Sequence, residues 1–350
     1  MKIAILGDTH FGARNDLKVF HEYFQKFYMD QFIPYLIENN IDTVIQLGDL
    51  FDRRKYINYY SLSACKKYFF DELEKHNITL HTLVGNHDIY WRESLEVNSS
   101  SLVLGEYGNV NVHTKPTTIS RNKTFIDIIP WICPENEKEI HEFIKNSKSD
   151  ICVGHFEIAG FAMYRGMECH DGISKDLFRK YEQVWSGHYH TKSKQENITY
   201  VGTPAEMTWQ DYGDPKGFHT FDLETRQLEF IQNYYTIFVK LEYDDSDGEP
   251  IDLRGMALKD AFVKLVVVKK TDYYKFDKFV TQLYAKGCYD IKIIEDLSEF
   301  SDGEVNEEIN LEDTISVLSH YIDSVQTDMD KEKIKTYMKA LYVEALNMEV

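Results

Sequence analysis

The sequence KIAILGDTH (residues 2–10) joins a short apolar, β-branched run to a glycine and a group of polar residues. The same arrangement returns four times in the first two thirds of the chain, as TVIQLGD (43–49), LHTLVGNHD (80–88), DICVGHF (150–156) and EQVWSGHYH (182–190). Apolar runs of this length are typical of buried strands, and the glycine allows a tight turn where the strand ends. The pattern therefore predicts a series of strands that each end in a polar loop.

Helical stretches separate the early strands, at 19–38 and 59–76, and Pro34 is expected to kink or divide the first of them. Strands that alternate with helices predict βαβ units with parallel strands. Later strands follow one another with less helix between them, as in TFIDIIPW, ITYVGTP, GFHTFDLE and QLEFIQN. This order favours a mixed α/β (α+β) fold, in which a two-sheet β-sandwich is flanked by helices, over a single doubly wound sheet.

The chain of 350 residues (41.2 kDa) is longer than one ordinary core requires, and its pattern changes near residue 235. Beyond that point, 261–268 (strand), 273–286 (helix) and 289–296 (strand) predict a small β-α-β unit. Residues 295–313 hold nine acidic residues and no Lys or Arg, which is typical of an extended, self-repelling linker. We expect a main domain at 1–235, a small α/β capping domain at 236–297, an acidic linker at 298–313 and a helical tail at 314–350.

The tail carries two amphipathic helical patterns. The first places Ile315, Leu318, Ile322 and Val325 on one face, and the second does the same with Ile334, Met338, Leu341 and Ala345. An apolar stripe beyond a flexible linker has no evident core of its own to cover. Docking on a partner and folding back onto the body are the two alternatives.

Composition limits the classes of function. The formal net charge of −19 excludes binding of nucleic acid or of a membrane surface by bulk positive charge, although it leaves local basic sites open. The five cysteines are scattered without a CxxC pattern, which argues against a disulfide framework or a zinc–thiolate site and for a reducing compartment. The sequence has no signal-peptide pattern and no long apolar run, so we expect a cytoplasmic protein that does not bind membranes.

The polar residues after the strands are the candidate functional site. Ligands collect at the carboxyl ends of strands in α/β sheets, so these side chains are expected to converge although they lie far apart in the sequence. Each one alone is more often part of a turn or a helix cap than a ligand. Their repeated placement makes coincidence improbable. The residues concerned are Asp8, His10, Asp49, Asn86, His87, Asp88, His155, His188 and His190.

Imidazole nitrogens, carboxylates and one carboxamide, without a thiolate, suit manganese, iron or zinc. Seven candidate ligands exceed what one ion takes, so two divalent ions that share Asp49 are the economical solution. Two adjacent ions suit in-line attack on phosphorus, since one lowers the pKa of a bound water and both polarise the phosphoryl oxygens.

The motifs DxH, GDxxD, GNHD, GH and GHxH occur here in the order Asp8-Thr9-His10, Gly48–Asp52, Gly85–Asp88, Gly154-His155 and Gly187–His190. This series resembles the calcineurin-like metallophosphoesterases. Within that family, the chain is similar to the SbcD-type nuclease subunits of recombination and repair complexes. The similarity lies in the motif GDLFD, the wide gap between His155 and His188, the small second domain and the helical tail. The resemblance covers essentially the whole chain and is strongest over 1–220.

The resemblance implies a role for each motif residue. Asp8, His10 and His190 would bind one ion, Asp49 would bridge both, and Asn86, His155 and His188 would complete the second site. His87 would contact the scissile phosphate and protonate or stabilise the leaving oxygen, and Asp88 would orient its imidazole. Asp52 is expected to hold its loop by hydrogen bonding.

The resemblance also implies an activity and partners. These are Mn²⁺-dependent (or Mg²⁺-dependent) DNA exonuclease and single-strand endonuclease action, an SMC-like coiled-coil ATPase partner, and, for a phage-encoded member, the host cytoplasm. A homodimer would form through helices after the second and third motifs, with Leu62, Phe69, Leu95 and Leu102 as candidates; each of these residues could equally be core.

Basic residues near the motifs are the candidate DNA contacts: Arg14 and the run Arg53-Arg54-Lys55. The alternative for that run is a solvated helix start. Two rival functions share the motifs. One is a phosphoesterase that acts on phosphoproteins or nucleotides, and the other is a scaffold that keeps the fold without catalysis.

Overall fold

A computed structural model of the chain describes residues 1–164, 167–170, 172–246, 248 and 250–295, together with 322, 331, 333–335 and 338. Residues Met1–Ile294 form one compact unit and Glu295–Val350 form a second. The predicted acidic linker and nearly all of the predicted tail lie outside the described residues, and the predicted division at residue 235 stays a prediction. No helix in the described part of the chain is long and apolar enough to cross a membrane.

The described part of the chain contains seventeen strands. In chain order they are β1 Lys2–Leu6, β2 Thr43–Gln46, β3 Thr79–Leu83, β4 Val110–His113, β5 Thr117–Arg121, β6 Thr124–Ile129, β7 Ile151–His155, β8 Ala162–Tyr164, β9 Met167–Glu168, β10 Gln183–Gly187, β11 Ser193–Gln195, β12 Ile198–Tyr200, β13 Gly217–Asp222, β14 Leu228–Gln232, β15 Phe238–Asp244, β16 Phe262–Lys269 and β17 Asp290–Glu295.

Helical segments connect the strands. They are α1 Ala13–Asp16, α2 Lys18–Phe27, α3 Ile33–Glu38, α4 Tyr59–Cys65, α5 Asp71–Lys75, α6 Ser99–Val103, α7 Glu137–Asn146 and α8 Tyr273–Ala285, with π-helical turns at Tyr28–Phe32 and Lys66–Phe70 and 3₁₀ turns at Lys175–Phe178 and Trp209–Asp211. In α1, Arg14 and Asn15 have positive φ, so this segment is a turn rather than a regular helix.

Two six-stranded sheets form the predicted sandwich. The first has the order β14-β13-β1-β2-β3-β4, and the second has the order β11-β12-β10-β7-β6-β5. Strands β1 to β4 are parallel, as are β6, β7, β10 and β12, while β13 and β14 in the first sheet and β5 and β11 in the second pair antiparallel. The carboxyl ends of the parallel strands therefore form one edge of each sheet.

Alternate side chains of the strands fill the layer between the sheets. Ile3, Ile5 and Ile45 from the first sheet pack with Val153 and Trp185 from the second. Their neighbours Ala4, Leu6 and Val44 point to the other face, where they meet the aromatic side chains of the helices. This period of two is what a strand buried on both faces requires.

The predicted helices 19–38 and 59–76 each run through a π-helical turn. In the first, the backbone N–H of Ile33 donates to the carbonyl oxygen of Tyr28, five residues back, and Pro34 follows at the start of α3. Pro34 has no N–H and so cannot donate a helical hydrogen bond. The widened turn ends just before it, so the helix loses no hydrogen bond beyond the one that the proline itself removes.

A third sheet, β15-β16-β17, is covered by α8 as the β-α-β pattern predicts. It has its own core, which includes Tyr243, Leu265 and Phe279. At its other end, Phe238 and Phe262 lie against Phe20 of α2, with ring centroids 6.2 and 5.5 Å away, and join the core of the helical layer.

Candidate metal centre

The predicted site residues lie where the carboxyl ends of parallel strands from both sheets meet. β1, β2 and β3 lead into Asp8, Asp49 and Asn86, while β7 ends at His155 and β10 leads into His188. Among the side chains that the topology gathers, His10 and His190 are 180 positions apart in the sequence.

Asp8, His10 and His190 form the first group, with ligand atoms that all lie within 4.8 Å of one another. His10 Nε2 is 3.1 Å from His190 Nε2 and 4.0 Å from Asp8 Oδ2. The Asp8 carboxylate accepts hydrogen bonds from the backbone N–H of His188 at 3.0 and 2.9 Å, which fix its orientation. The three residues predicted for the first ion therefore converge.

The second group consists of Asp49, Asn86, His155 and His188. The side-chain oxygen of Asn86 is 2.8 Å from His155 Nε2 and 3.1 Å from His188 Nδ1. The ligand atoms of Asp49, His155 and His188 also lie within 4.8 Å of one another. The four residues predicted for the second ion therefore lie together.

Asp49 lies between the two groups. Its Oδ2 is 3.3 Å from His155 Nε2 and 3.8 Å from His10 Nε2, while its Oδ1 accepts a hydrogen bond from the His87 N–H at 2.7 Å. A carboxylate in this place has the position that a bridge between two ions requires.

Burial controls the charge of most imidazoles here. It lowers the pKa of His188 to about 3 and of His190 to about 4, and it holds the pKa of His10 well below its usual range. For His155, burial is outweighed by the carboxylates of Asp49 and Asp8, so its pKa rises to about 9. Three of the four imidazoles are therefore neutral at pH 7, and neutral imidazole is the form that binds a metal.

The two carboxylates differ. Burial raises the pKa of Asp8 to about 7, although the His155 imidazole opposes this. For Asp49, His155 and His87 overcome the effect of burial and hold the pKa well below its usual range. A buried set of oxygen and nitrogen donors with adjacent carboxylates fits divalent cations, whose charge would keep both carboxylates ionised.

The loops carry backbone strain and close contacts that need glycine. Asp49, His10 and His188 have φ of 50°, 41° and 84°, in the left-handed region. A Cβ on Gly85 would lie 2.3 Å from the backbone nitrogen of Asp49, and one on Gly187 would lie 2.4 Å from Asp8 Oδ1. Strain of this kind persists where the surrounding structure fixes a functional residue.

The prediction that Asp88 orients the His87 imidazole is wrong. Asp88 accepts hydrogen bonds from the backbone N–H groups of Leu50, Phe51 and Gly85, so it fastens two loops together. The Nδ1 of His87 instead donates to the backbone carbonyl oxygen of Asp52 at 2.6 Å. The loop that Asp52 belongs to, rather than Asp88, sets the ring's orientation.

Lys216 is a residue of the site that sequence reasoning missed. Its ammonium group, 3% exposed, donates to the carbonyl oxygen of His190 at 2.9 Å and lies 2.7 Å from Asp211 Oδ1 and 2.9 Å from Asp214 Oδ2. All three donors of the buried amine are therefore used. The sequence QDYGDPKGF (210–218) places two acids before this lysine, which was the available signal.

Trp131 was also missed. Its ring centroid lies 5.3 Å from that of His188 and 5.8 Å from that of His155, so the indole covers the second group of ligands on one side. Nothing in the spacing of IPWICPEN (129–136) relates this tryptophan to the histidine motifs.

The predicted DNA-contact residues lie in the loops next to the centre. Arg14 is exposed on the turn after His10, and Arg53 and Arg54 are half-buried in the loop between Asp52 and α4, with Lys55 exposed beside them. Arg53 donates to the Asn15 side chain and lies over the Tyr56 ring, 4.9 Å from its centroid. The run is thus part of a loop and not a helix start.

The predicted dimer contacts divide into two kinds. Phe69 is fully buried in the core of this chain, and Leu95 is 5% exposed against Val84 and Ile89, so both are corrected to core residues. Leu102 is 73% exposed on α6, and Leu62 packs part-buried against the helical core.

Residues 1–192 match the calcineurin-like phosphoesterase family. The chain belongs to this family. The resemblance that the five motifs indicate is thereby confirmed, and the paired ligand groups of this phosphoesterase occupy the matched region.

The phosphoesterase also has relatives that align over most of its length. It is 37% identical over 350 residues to Exonuclease subunit 1 of Enterobacteria phage T4, with 99% of each chain covered. It is 24% identical over 309 residues to the SbcD subunit of the SbcCD nuclease of Staphylococcus epidermidis, covering 79% of this chain and 78% of that one. A solved archaeal phosphodiesterase shares 13% identity and a TM-score of 0.35, with 66% of this chain and 99% of that chain covered, which is too distant to bear on function.

Proposed function

We propose that this phosphoesterase is a DNA nuclease that hydrolyses phosphodiester bonds with two divalent ions, as an exonuclease on DNA ends and an endonuclease on single strands. One observation carries the proposal. The seven predicted ligands and His87 converge in one centre, in a chain that aligns from end to end with a protein named as an exonuclease subunit.

Asp8, His10 and His190 would hold one ion, Asn86, His155 and His188 the other, and Asp49 would bridge them. When bound, the ions would supply an activated water and charge for the phosphoryl oxygens. The donor set suits Mn²⁺, with Mg²⁺ as the alternative.

In this proposal His87 acts on the leaving group. Because its Nδ1 donates to the Asp52 carbonyl oxygen, its Nε2 is left for a second partner. The ring forms a cluster with His10 and Asp49 and stands edge-on to His10, with the centroids 5.0 Å apart. A protonated Nε2 in this place can donate to the oxygen that departs from phosphorus, as a general acid does.

The function includes a partner. Both of these relatives are named as subunits, so we propose that this chain acts with a second protein, an SMC-like coiled-coil ATPase, and forms a homodimer. The tail at 314–350 is the proposed contact with the ATPase. We expect the complex to act in the cytoplasm, where its DNA substrate lies.

The test is cleavage by the full-length chain, with and without Mn²⁺, of linear duplex DNA, single-stranded circles and a chromogenic phosphodiester. The nuclease proposal expects DNA cleavage that requires the metal and falls about 10²-fold or more in His87→Ala. Equal loss of Mn²⁺ binding and cleavage in that variant would contradict the role given to His87. Turnover of the small diester alone would identify a nucleotide phosphodiesterase instead, and no turnover of any substrate would favour the scaffold.

A further inference from the structure

Two exposed aromatic side chains follow the catalytic motif directly. Tyr90 and Trp91 are 43% and 49% exposed, and they come two and three residues after Asp88. Their rings form an edge-on pair with centroids 5.1 Å apart. Of the four tryptophans, Trp91 alone is exposed, since Trp185 is fully buried and the other two are part-buried.

The loop that carries the pair is fixed at its base. Ile89 pairs with Asn98 across the loop, and the N–H of Tyr90 donates to the carbonyl oxygen of Val97 at 3.0 Å. Leu95 is buried below, and its N–H donates to Glu135 Oε2 at 3.0 Å. The aromatic pair is therefore presented on a closed loop, which lowers the entropy that is lost when a ligand binds.

The pair also lies near the reacting phosphate of the proposed function. Trp91 follows His87 by four positions, and a chain of that length spans at most about 14 Å. A cation–aromatic pair, Arg53 over Tyr56, lies on the loop that holds the His87 ring through Asp52. Exposed aromatic side chains thus flank the centre on two connected loops, with the half-buried Arg53 on one loop and the exposed Arg92 beside Trp91 on the other.

We propose that Tyr90 and Trp91 stack on unpaired nucleobases next to the scissile phosphate and so direct the nuclease to single-stranded or frayed DNA. This inference rests on the proposed nuclease function. Aromatic faces bind bases without regard to sequence, because every base has a π-face. Within a duplex the base faces are covered by their neighbours, so the same side chains gain no stacking partner there. The consequence is a preference for unpaired strands.

The experiment uses full-length protein with the His87→Ala substitution and Mn²⁺, so that the DNA stays intact. Fluorescein-labelled oligo(dT) and a hairpin duplex of equal length are titrated while anisotropy and tryptophan emission are recorded. We expect oligo(dT) to quench the emission as it binds. Adding Trp91→Phe should keep the binding and remove most of the quenching, whereas Trp91→Ala should weaken oligo(dT) binding by about tenfold and leave hairpin binding unchanged.

The matched control is Phe125→Ala, which removes an aromatic ring of similar exposure, 51%, from the opposite, amino-terminal end of β6. It should change neither affinity. Oligo(dT) binding by anisotropy with unaltered Trp91 emission would overturn the inference, as would an equal loss of affinity for both DNAs in Trp91→Ala. Protection of Trp91 from acrylamide as protein concentration rises, without DNA, would assign the pair to a second copy of the chain. Absence of DNA binding and cleavage by the unsubstituted protein would instead refute the nuclease proposal itself.

Discussion

Lys216 joins a metal ligand to a buried ion-pair cluster. It is the only donor shown to bind the His190 carbonyl oxygen from a side chain among the described residues, and its charge is balanced by Asp211 and Asp214. We predict that Lys216→Met lowers Mn²⁺ affinity by about tenfold or more, because the His190 carbonyl oxygen loses the hydrogen bond from the ammonium group and keeps that from the Thr203 N–H. Stability should fall by about 3–5 kcal/mol, since the buried carboxylate of Asp211 and the part-buried one of Asp214 lose their partner. Calorimetric Mn²⁺ titration and urea unfolding measure the two effects.

Two variants separate the local effect from a general loss of stability. Lys180→Met removes a lysine that donates to the carbonyl oxygens of Ile144 and Ser147 at the end of α7, away from the ligands, so it should lose stability without a change in Mn²⁺ affinity. Lys216→Arg keeps the charge and should recover part of the affinity. Unchanged Mn²⁺ binding in a folded Lys216→Met protein would show that His190 needs no such support.

Gly85 is the residue where a single methyl group should damage the centre most directly. A Cβ there would lie 2.3 Å from both the backbone nitrogen and Oδ1 of Asp49, a contact that requires the bridging carboxylate to move. We predict that Gly85→Ala folds with reduced stability and loses the Mn²⁺ binding that depends on Asp49. Calorimetric Mn²⁺ titration would measure this loss. Gly108→Ala is the control, because a Cβ at Gly108 meets no atom within 4 Å. Equal Mn²⁺ binding by both variants would contradict the prediction.

The ligands could be predicted from the sequence because each follows a strand, and strand ends converge in any parallel sheet. The hydrogen-bond partners that support those ligands could not be predicted in this way. Lys216 reaches His190 across 26 positions, and the contact between His87 and the Asp52 carbonyl depends on loop geometry that no pattern encodes. The error over Asp88 has the same origin, since adjacency in the sequence does not tell which way a turn directs a side chain.

At the scale of elements, the strands and helices follow the hydrophobic periodicity closely, whereas the π-helical turns do not. Both long helices widen by one residue, at Tyr28–Phe32 and Lys66–Phe70, where tightly packed aromatic rings from the two segments meet. In the sequence, Pro34 indicates the π-helical turn at Tyr28–Phe32, but no comparable residue indicates the one at Lys66–Phe70. Packing between the two helices, rather than local propensity, sets its position.

The pairing of β3 with β4 brings two histidines together away from the metal centre. His81 Nδ1 lies 3.0 Å from His113 Nε2 with the rings stacked, and burial lowers the pKa of each to about 4. Because the folded pKa lies below the unfolded value, the unfolded chain binds more protons as pH falls through the window from 6.5 to 4. Stability is therefore fully present above pH 6.5 and is lost on acidification.

We predict that the metal-free protein loses about 2 kcal/mol of unfolding free energy between pH 7 and pH 5 through this pair, a figure reduced for the part exposure of His81. The double variant His81→Gln/His113→Gln should remove that part of the pH dependence in urea unfolding with chelator. His141→Gln, at an exposed position of α7, should leave the dependence as it was. The same slope in the double variant would show that other groups carry the effect.

At the scale of the whole molecule, the two-sheet sandwich could be predicted because its strands are apolar and separated by strong turn signals. The packing of the third sheet against α2 could not, since it depends on Phe20, Phe238 and Phe262, whose contacts span more than two hundred positions. The predicted acidic linker and docking tail stay predictions, because the linker and nearly all of the tail lie outside the described residues.

The net charge of −19 makes the binding of a polyanion depend on where the basic residues lie. Arg53, Arg54 and Lys55 sit together on the loop next to Asp52, at the edge of the sheet that carries the metal centre. If each of these side chains neutralises one phosphate, the run contributes about 2.7 to the slope of log affinity against log salt concentration on duplex DNA. Reversing all three to Glu should weaken DNA binding at low salt and flatten that slope by about the same amount.

The control reverses the same number of charges at the opposite end of the second sheet. Lys123, Lys145 and Lys148 lie before β6, at the end of α7 and before β7, so Lys→Glu at all three lowers the net charge equally without touching the ligand loops. Because long-range repulsion falls off over about 10 Å at 0.1 M salt, this control should keep most of the slope. Anisotropy titrations of a labelled duplex over a salt series compare the two. If the control reduced the salt slope more than the loop variant did, bulk charge, and not the loop beside Asp52, would govern DNA binding by this protein.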